Sequence, residues 1–372
     1  MRKDLLKNTK KIIVKVGTST LTNSDGSLNE TFIKSLVAQI CELKAQGYQV
    51  VLVSSGAVGA GMGILKIEQK PKELSAKQAL AAVGQVALMH LYERLFWAHD
   101  EIIAQLLLTR IDFSDRARYL SARNVATALL SQGIIPIINE NDPVSGDELK
   151  IGDNDTMSAL VTGLIDADLL VLLSDIDGLY DKNPSTNPDA KLIKIVNFID
   201  ENTLKMAGDV GSKFGTGGMA TKLSAAKMAT KIGANMIIAN GKESKILAKI
   251  IAGEEVGTIF CKEEKSISAK KYWLAYGANV RGAISLDEGA CKAIKNGKSV
   301  LGVGIVGVSG EFERGDVIEI LGADSQRIAR GIANYCASEI SLIMGKKSSE
   351  YEKILPSVSD DYIVHANNIV LG

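Results

Sequence analysis

Short runs of apolar residues alternate with longer segments of helical periodicity from residue 11 to residue 239. The runs of strand length lie at residues 11–16, 49–53, 102–108, 134–139, 169–173 and 236–239. The helical patterns lie at residues 29–47, 73–99, 122–132, 156–165 and 220–232. Strands that are apolar at nearly every position are buried on both faces, as in a parallel sheet. The alternation therefore predicts an α/β fold, with a mainly parallel sheet sandwiched by helices.

Polar and glycine-rich segments follow the ends of these strands. They are Gly17-Thr18-Ser19, Ser54-Ser55-Gly56, residues 139–142 and Ser174-Asp175. Right-handed crossovers bring the carboxyl ends of parallel strands to one edge of the sheet, where ligands usually bind. We therefore expect these distant segments to meet at one edge. The segment with Gly59, Gly61 and Gly63 is predicted to be a loop.

The pattern changes after residue 261, where a charged stretch without periodicity indicates a linker. Beyond it, shorter segments separated by glycines predict a helix at 286–295 and strands at 299–308, 316–321 and 328–334, as in a small β-rich module. The predicted organisation is an α/β domain at 1–262, a linker at 263–277, the β-rich domain at 278–358 and a tail at 359–372.

Charge and composition exclude several classes of protein. The 43 basic and 43 acidic side chains cancel, which argues against a protein whose main role is to coat nucleic acid. Neither the four cysteines nor the three histidines are spaced as metal ligands. The apolar run after the basic N-terminus is too short for a signal peptide, and no run approaches a membrane span. We expect a soluble, cytoplasmic protein.

Two lysines lie close in sequence to glycines, at positions that suit the binding of phosphate. Lys15 lies near a strand end before Gly17, whose small size lets backbone N–H groups approach a ligand. Lys222 lies on the first turn of a helix after the glycine-rich segment 215–218, and the N-terminus of a helix favours anions. The spacing is not that of a Walker A loop. The alternatives are a surface lysine near a turn and a plain loop before an amphipathic helix.

Two acidic and amide-rich clusters are costly to bury without a function. One is Asn139-Glu140-Asn141-Asp142 and the other is Gly152-Asp153-Asn154-Asp155. They could bind an amino group, orient lysines or hold magnesium. The alternative is a solvated loop in which Asp153, Asn154 or Asp155 caps the following helix.

Two further strand ends carry polar groups. The hydroxyl and N–H groups of Ser54-Ser55-Gly56 suit a substrate carboxylate, or form an ordinary turn. Ser174-Asp175, with the following Asp177-Gly178-Leu179-Tyr180, could lie beneath a nucleotide, or could end the strand. Glycine-rich segments, two lysines and supporting acids together indicate phosphoryl transfer, which requires positioning and neutralisation of charge.

These motifs, in this order, resemble the amino acid kinase family, and residues 280–355 resemble a PUA domain. The resemblance is strongest to members that phosphorylate the side-chain carboxylate of glutamate. It implies that Lys15, Lys222 and Asp155 are catalytic, with Asp155 holding the two lysines. It implies that Ser55, Asp142 and Asn154 bind glutamate. The implied ATP-binding residues are Lys15, Ser174, Asp175, Thr216, Gly217, Gly218, Met219, Ala220, Thr221 and Lys222.

The resemblance also implies cofactors and partners. ATP is the co-substrate, and Mg²⁺ binds to its phosphates rather than to a protein metal site. Proline synthesis is the implied pathway, with proline as inhibitor, a downstream glutamyl phosphate reductase as possible partner, and a dimer or tetramer as the assembly. Two alternatives stay open: another member of the family, acting on N-acetylglutamate, aspartate, carbamate or uridine monophosphate, and an RNA-binding protein, because PUA domains often bind RNA.

Overall fold

The computed structural model describes residues 2–23, 25–146, 150–206, 218–264, 266–322, 324–358 and 360–371. The chain forms two compact units. The first comprises residues 1–113 and 117–267, and the second comprises residues 114–116 and 268–372.

Within the described residues, the first unit contains an eight-stranded sheet. Its strands are β1 (Lys11–Val16), β2 (Gln49–Val53), β3 (Ile103–Leu108), β4 (Ile135–Glu140), β5 (Leu169–Ser174), β6 (Ile195–Val196), β7 (Asn235–Asn240) and β8 (Thr258–Phe260). Their order across the sheet is β3-β4-β2-β1-β5-β7-β8-β6. Neighbouring strands are parallel except for the β7–β8 pair, which is antiparallel. The predicted fold class is confirmed.

Helices connect these strands and cover the sheet. Those between residues 2 and 252 are α1 (Arg2–Leu6), α2 (Thr18–Leu21), α3 (Glu30–Ala45), α4 (Ala57–Leu65), α5 (Leu74–Trp97), α6 (Arg110–Ser114), α7 (Arg116–Ser131), α8 (Asn154–Ile165), α9 (Glu201–Lys205), α10 (Met219–Ile232) and α11 (Ile246–Ala252). In the part of the chain that the structure describes, none of them has both the length and the apolar character needed to cross a membrane.

Local sequence accounts for the start and the buried face of α3. The side chain of Asn29 accepts a hydrogen bond from the backbone N–H of Phe32 at 3.1 Å, which caps the helix. Leu36 and Ile40 lie one turn apart and are buried against the sheet, where the strands are buried at almost every position. After the helix, Gly47 takes a positive φ that favours glycine.

The predicted loop after β2 is wrong, because its glycines lie within α4. A side-chain carbon at Gly61 would come within 2.0 Å of the Leu80 carbonyl oxygen on α5. A side-chain carbon at Gly84 of α5 would likewise come within 1.8 Å of the Ala57 carbonyl oxygen. Glycine lowers intrinsic helix propensity by about 0.5–1 kcal/mol relative to alanine, yet here it permits two helices to pack backbone to backbone. Tertiary contact therefore decides the structure of this segment.

Within the described residues, the second unit contains a five-stranded sheet in the order β10-β9-β11-β12-β13. The strands are β9 (Val280–Leu286), β10 (Ile305–Gly310), β11 (Val317–Leu321), β12 (Arg327–Ile332) and β13 (Ile369–Leu371), and the helices are α12 (Ala269–Tyr272), a π-helical turn (Trp273–Gly277), α13 (Glu288–Lys295), α14 (Ala337–Ile343) and α15 (Tyr351–Ile354). This is the small β-rich domain that the sequence predicts.

Two details of the second unit differ from what the sequence pattern predicts. The strand predicted at 299–308 begins only at Ile305, because Gly302–Gly304 form a 3₁₀ turn in which the Gly302 N–H donates to the Tyr351 hydroxyl at 2.8 Å. At the C-terminal end, β13 pairs antiparallel with β12. The domain limits given above stay a prediction.

Candidate active site

A cavity of about 540 Å³ lies in the first unit, at the edge where β1, β2, β4 and β5 end. These strands are near neighbours in the sheet, so their carboxyl ends converge. Each polar segment that the sequence places at a strand end contributes to this cavity. The predicted site residues that line it are Lys15, Ser55, Asp142, Asn154, Asp155, Ser174, Asp175 and Lys222.

The two predicted lysines meet on one carboxylate. Lys15 Nζ lies 2.6 Å from Asp155 Oδ1, and Lys222 Nζ lies 2.9 Å from Asp155 Oδ2. Lys15 comes from the central strand β1, Asp155 from the first turn of α8 and Lys222 from the first turn of α10. Asp155 is 1% exposed and each lysine is 7% exposed. The structure thus brings the three predicted catalytic residues into direct contact.

The charges of this cluster favour a bound anion. Burial alone would raise the pKa of the Asp155 carboxyl, but the ammonium groups of Lys15 and Lys222 outweigh burial and lower that pKa. The carboxyl is therefore ionised at neutral pH, and the three side chains carry one net positive charge. Positive charge that is fixed in a partly desolvated site is suited to stabilise phosphate oxygens.

Neutral hydrogen bonds hold Asn154 and Ser55, two of the three predicted glutamate-binding residues. Asn154 Nδ2 donates to Ser55 Oγ at 2.7 Å, to the Ser54 carbonyl at 2.8 Å and to Asn139 Oδ1 at 3.1 Å. Its neighbour Asp153 caps α8, because Asp153 Oδ1 accepts from the Thr156 N–H at 2.8 Å. In this second acidic cluster, capping therefore falls to Asp153, while Asn154 and Asp155 face the cavity.

Two further carboxyl groups, those of Asp142 and Glu140, line the larger cavity. Desolvation by burial raises the pKa of Asp142, and Lys150 and Lys70 oppose that shift. Burial also raises the pKa of Glu140, against the hydrogen bond that its Oε1 accepts from the Ile151 N–H at 2.8 Å. Both groups suit a ligand that brings a compensating positive charge, such as an ammonium group.

A second cavity, of about 110 Å³, shares Ser174, Asp175 and Lys222 with the first. Its other walls include Leu179, Met219 and a turn that holds Gly178. Lys222 therefore lies where the two cavities join, and Lys15 lines the larger one. The cavity is lined by Ser174, Asp175, Ile176, Gly178, Leu179, Tyr180, Lys182, Asn183, Pro184, Ser185, Met206, Gly218, Met219 and Lys222.

The predicted ATP-binding residues divide into three groups. Lys15, Ser174, Asp175, Gly218, Met219 and Lys222 line one or both of the two cavities. Ala220 and Thr221 lie on the first turn of α10 without lining either, and the Thr221 hydroxyl donates to the Gly218 carbonyl at 2.8 Å. Thr216 and Gly217 lie outside the described residues.

Several side chains at the site carried no role in the sequence prediction. Asn139 and Glu140 belong to a motif that the sequence shows, but nothing local distinguishes their roles from that of Asp142. Lys70, Lys77 and Lys150 also line the larger cavity. Lys70 and Lys77 lie in a segment without glycine or strand-end signals, and Lys150 lies just before the second acidic cluster without a role of its own, so only the tertiary structure reveals them.

Comparison with known proteins identifies the family. The model of the amino acid kinase family matches residues 10–240, and that of the PUA domain matches residues 282–355. The chain belongs to the amino acid kinase family. The family match covers the strands, helices and lysines that form the two cavities, and the PUA match covers most of the second unit.

Curated members of the amino acid kinase family resemble the chain over nearly its whole length. Glutamate 5-kinase of Caldanaerobacter subterraneus subsp. tengcongensis is 49% identical over 97% of each chain. Glutamate 5-kinase of Geobacter sulfurreducens is 46% identical over 100% of each chain. Among solved structures, UMP kinase from Ureaplasma parvum superimposes with a TM-score of 0.50 and 16% identity, covering 68% of this chain and all of that one, which shows a shared fold.

Proposed function

We propose that this amino acid kinase transfers the γ-phosphoryl group of ATP to the side-chain carboxylate of glutamate, giving glutamyl 5-phosphate and ADP. The observation that carries the proposal is the pair of buried ammonium groups on Asp155, one of which belongs to Lys222, where the two cavities join. Relatives that are 46–49% identical over nearly the full length carry the name glutamate 5-kinase.

The lysines would stabilise charge that moves during transfer. An oxygen of the glutamate carboxylate forms a bond to the γ-phosphorus while the bond from that phosphorus to the β,γ-bridging oxygen breaks, and the electron pair leaves with ADP. Lys15 and Lys222 would neutralise the β- and γ-phosphate oxygens, while Asp155 holds both ammonium groups in place. The acceptor carboxylate is ionised at neutral pH, so the step requires no protein base.

Glutamate would bind at the amide-lined end of the larger cavity. The Asp142 carboxylate would pair with the substrate ammonium group, and the Ser55 hydroxyl is suited to donate to a carboxylate. The hydrogen bonds of Asn154 to described residues all use its nitrogen, which leaves its oxygen to accept from the substrate. Ser55, Asp142 and Asn154 thus keep the roles proposed from the sequence.

ATP would extend from the junction into the smaller cavity. Leu179 and Met219 offer apolar surface to a base, and Ser174 and Asp175 lie where the two cavities join. The arrangement of charges around Asp155 favours Mg²⁺ bound to phosphate oxygens and water, because both oxygens of Asp155 already hold ammonium groups. There the ion would neutralise the charge of the triphosphate.

We also propose the cellular setting that this activity implies. The product is an acyl phosphate, which water hydrolyses, so a reductase that consumes it is the expected partner. The pathway is proline biosynthesis in the cytoplasm, with proline as a feedback inhibitor and a homodimer or homotetramer as the active form. RNA binding by the PUA domain stays a separate prediction.

An acceptor panel in the presence of hydroxylamine tests the proposed activity. Hydroxylamine attacks an acyl phosphate and gives a stable hydroxamate with release of phosphate. We expect hydroxamate from glutamate and ATP, with ADP release of equal amount, and none when ATP is left out. The panel also contains aspartate, N-acetylglutamate, carbamate and uridine monophosphate. Faster ADP release with any of these than with glutamate would overturn the substrate assignment.

A further inference from the structure

A buried glutamine outside the two cavities is hydrogen-bonded to the glutamate-binding end of the site. Gln85 lies on α5 and is 7% exposed. Its Oε1 accepts a hydrogen bond from Asn139 Nδ2 at 2.9 Å. We propose that Gln85 is a positioning residue, which fixes the amide of Asn139 and, through it, the amide of Asn154. The inference rests on the proposed function, because Asn154 is there assigned to the acceptor.

Two backbone groups determine which way the amides face. The N–H of Glu140 can only donate, and it donates to Asn139 at 2.9 Å, so the oxygen of the Asn139 amide must face it. The carbonyl of Ser54 can only accept, so the nitrogen of Asn154 must face it. The contact of 3.1 Å between Asn154 Nδ2 and Asn139 Oδ1 is consistent with both assignments.

With the two amides in these orientations, the nitrogen of the Asn139 amide needs one hydrogen-bond acceptor from another residue. With its oxygen shared by Glu140 and Asn154, the amide of Asn139 turns its nitrogen toward α5, and Gln85 Oε1 receives it. Gln85 Nε2 is buried and has no hydrogen-bond partner among the described residues. The contribution of Gln85 is therefore an acceptor oxygen, and its amide nitrogen is dispensable.

Loss of that oxygen would be transmitted to the acceptor pocket. Asn139 is 3% exposed, so its nitrogen would become a buried donor without a partner, which is costly. Rotation of Asn139 toward another acceptor would remove its oxygen from Asn154. Asn154 would then lose one of the three acceptors that its nitrogen contacts, and its own oxygen would be held less firmly toward the substrate. The lysines would be unaffected, so the defect should appear in the glutamate KM and not in the ATP KM.

Two substitutions of similar size separate the acceptor oxygen from packing. Gln85→Met keeps the length of the side chain but removes the acceptor, whereas Gln85→Glu keeps an acceptor oxygen and replaces the unpartnered nitrogen with a second carboxyl oxygen. We expect Gln85→Met to raise the glutamate KM about tenfold, with the ATP KM within about twofold of wild type, and Gln85→Glu to stay within about threefold for both. Gln132→Met, at an exposed position after α7, controls for the substitution itself.

A double variant gives an independent measurement, which does not depend on how well Gln85→Met folds. In Asn139→Asp an oxygen replaces Nδ2, and Gln85 can turn its amide over and donate with Nε2. When Asn139→Asp is combined with Gln85→Glu, two carboxylates face each other. We expect kcat/KM of this double variant for glutamate to fall at least about tenfold below the product of the single effects. Additive effects would overturn the inference, as would equal glutamate KM values for Gln85→Met and wild type.

A failure of the proposed function can be distinguished from a failure of the inference about Gln85. If wild type does not phosphorylate glutamate but uses another acceptor, the substrate assignment falls, and the same variants are compared with the acceptor that is used. A change in the KM of that acceptor still supports the positioning role of Gln85, while equal losses in Gln85→Met and Gln85→Glu contradict it.

Discussion

The two ends of the larger cavity are built on different interactions. At the end where we propose that phosphate binds (the phosphate end), three charged side chains are in direct contact and almost fully buried, with Asp155 between two lysines. At the end where we propose that glutamate binds (the acceptor end), the amides of Asn154 and Asn139 are joined by a neutral hydrogen bond. The charged groups nearby, Asp142 and Glu140, have pKa values that burial raises.

This difference indicates a division of labour within one cavity. Fixed positive charge acts most strongly where negative charge moves during the reaction, so the phosphate end should control the rate of transfer. Neutral amides fix the shape and direction of a pocket at little electrostatic cost, so the acceptor end should control which substrate binds and how tightly. The variants below test that division, in order of decreasing expected effect.

The largest effect is expected from the phosphate end. Lys222→Met removes one ammonium group but leaves Lys15 to pair with Asp155, so the fold should persist. We expect kcat to fall about a thousandfold or more, with a small change in the glutamate KM. Steady-state ADP release measures both quantities. Lys227→Met, at an exposed position on the same helix, is the matched control and should retain the wild-type rate. A glutamate KM that rises in proportion to the loss of kcat would contradict the division of labour.

An intermediate effect is expected at the acceptor end. Asp142→Asn removes the charge that would pair with the substrate ammonium group, and a hydrogen bond to a charged group contributes about 1.5–3 kcal/mol. We expect the glutamate KM to rise roughly 10- to 100-fold, with kcat reduced less than by Lys222→Met. Initial rates over a range of glutamate concentrations provide the measurement.

The Asp142→Asn variant also tests how the glutamate KM depends on pH. Burial raises the pKa of Asp142, so on acidification this carboxyl gains its proton at a higher pH than an ordinary aspartate does. The glutamate KM of wild type should therefore rise as the pH falls toward that pKa. The rise should be smaller in Asp142→Asn, which lacks this carboxyl group. An identical pH profile for the two proteins would remove Asp142 from ammonium recognition.

The smallest effect is expected at the nucleotide pocket. The hydroxyl of Thr258 accepts from the Leu179 N–H at 2.8 Å and donates to the Ile193 carbonyl at 2.6 Å, beneath the turn that lines the smaller cavity. Thr258→Val removes both hydrogen bonds, and we expect the ATP KM to rise about fivefold with the glutamate KM unchanged. Thr258→Ser keeps the hydroxyl and should restore the ATP KM. No difference between the two variants would show that packing alone matters there.

Much of this molecule was predictable because its signals are local. Continuous apolar runs predicted β1, β2 and β5 and a parallel sheet, because strands buried on both faces need apolar side chains at every position. The helical pattern from residue 29 predicted α3, and Asn29 caps that helix locally, because the capping group lies next to the helix it caps. The glycines of α4 misled the prediction, since their helix depends on contact with α5, which is distant in the sequence.

The sequence by itself determined the fold class, the polar strand ends and the presence of Lys15, Asp155 and Lys222. Only the tertiary structure decided that both ammonium groups lie on one carboxylate and that Gln85 supports the amides of the acceptor end. The physical reason is the distance along the chain over which each interaction acts. Apolar periodicity and helix caps act between near neighbours in the chain, whereas ion pairs and amide directions depend on side chains that only the folded backbone brings within about 3 Å.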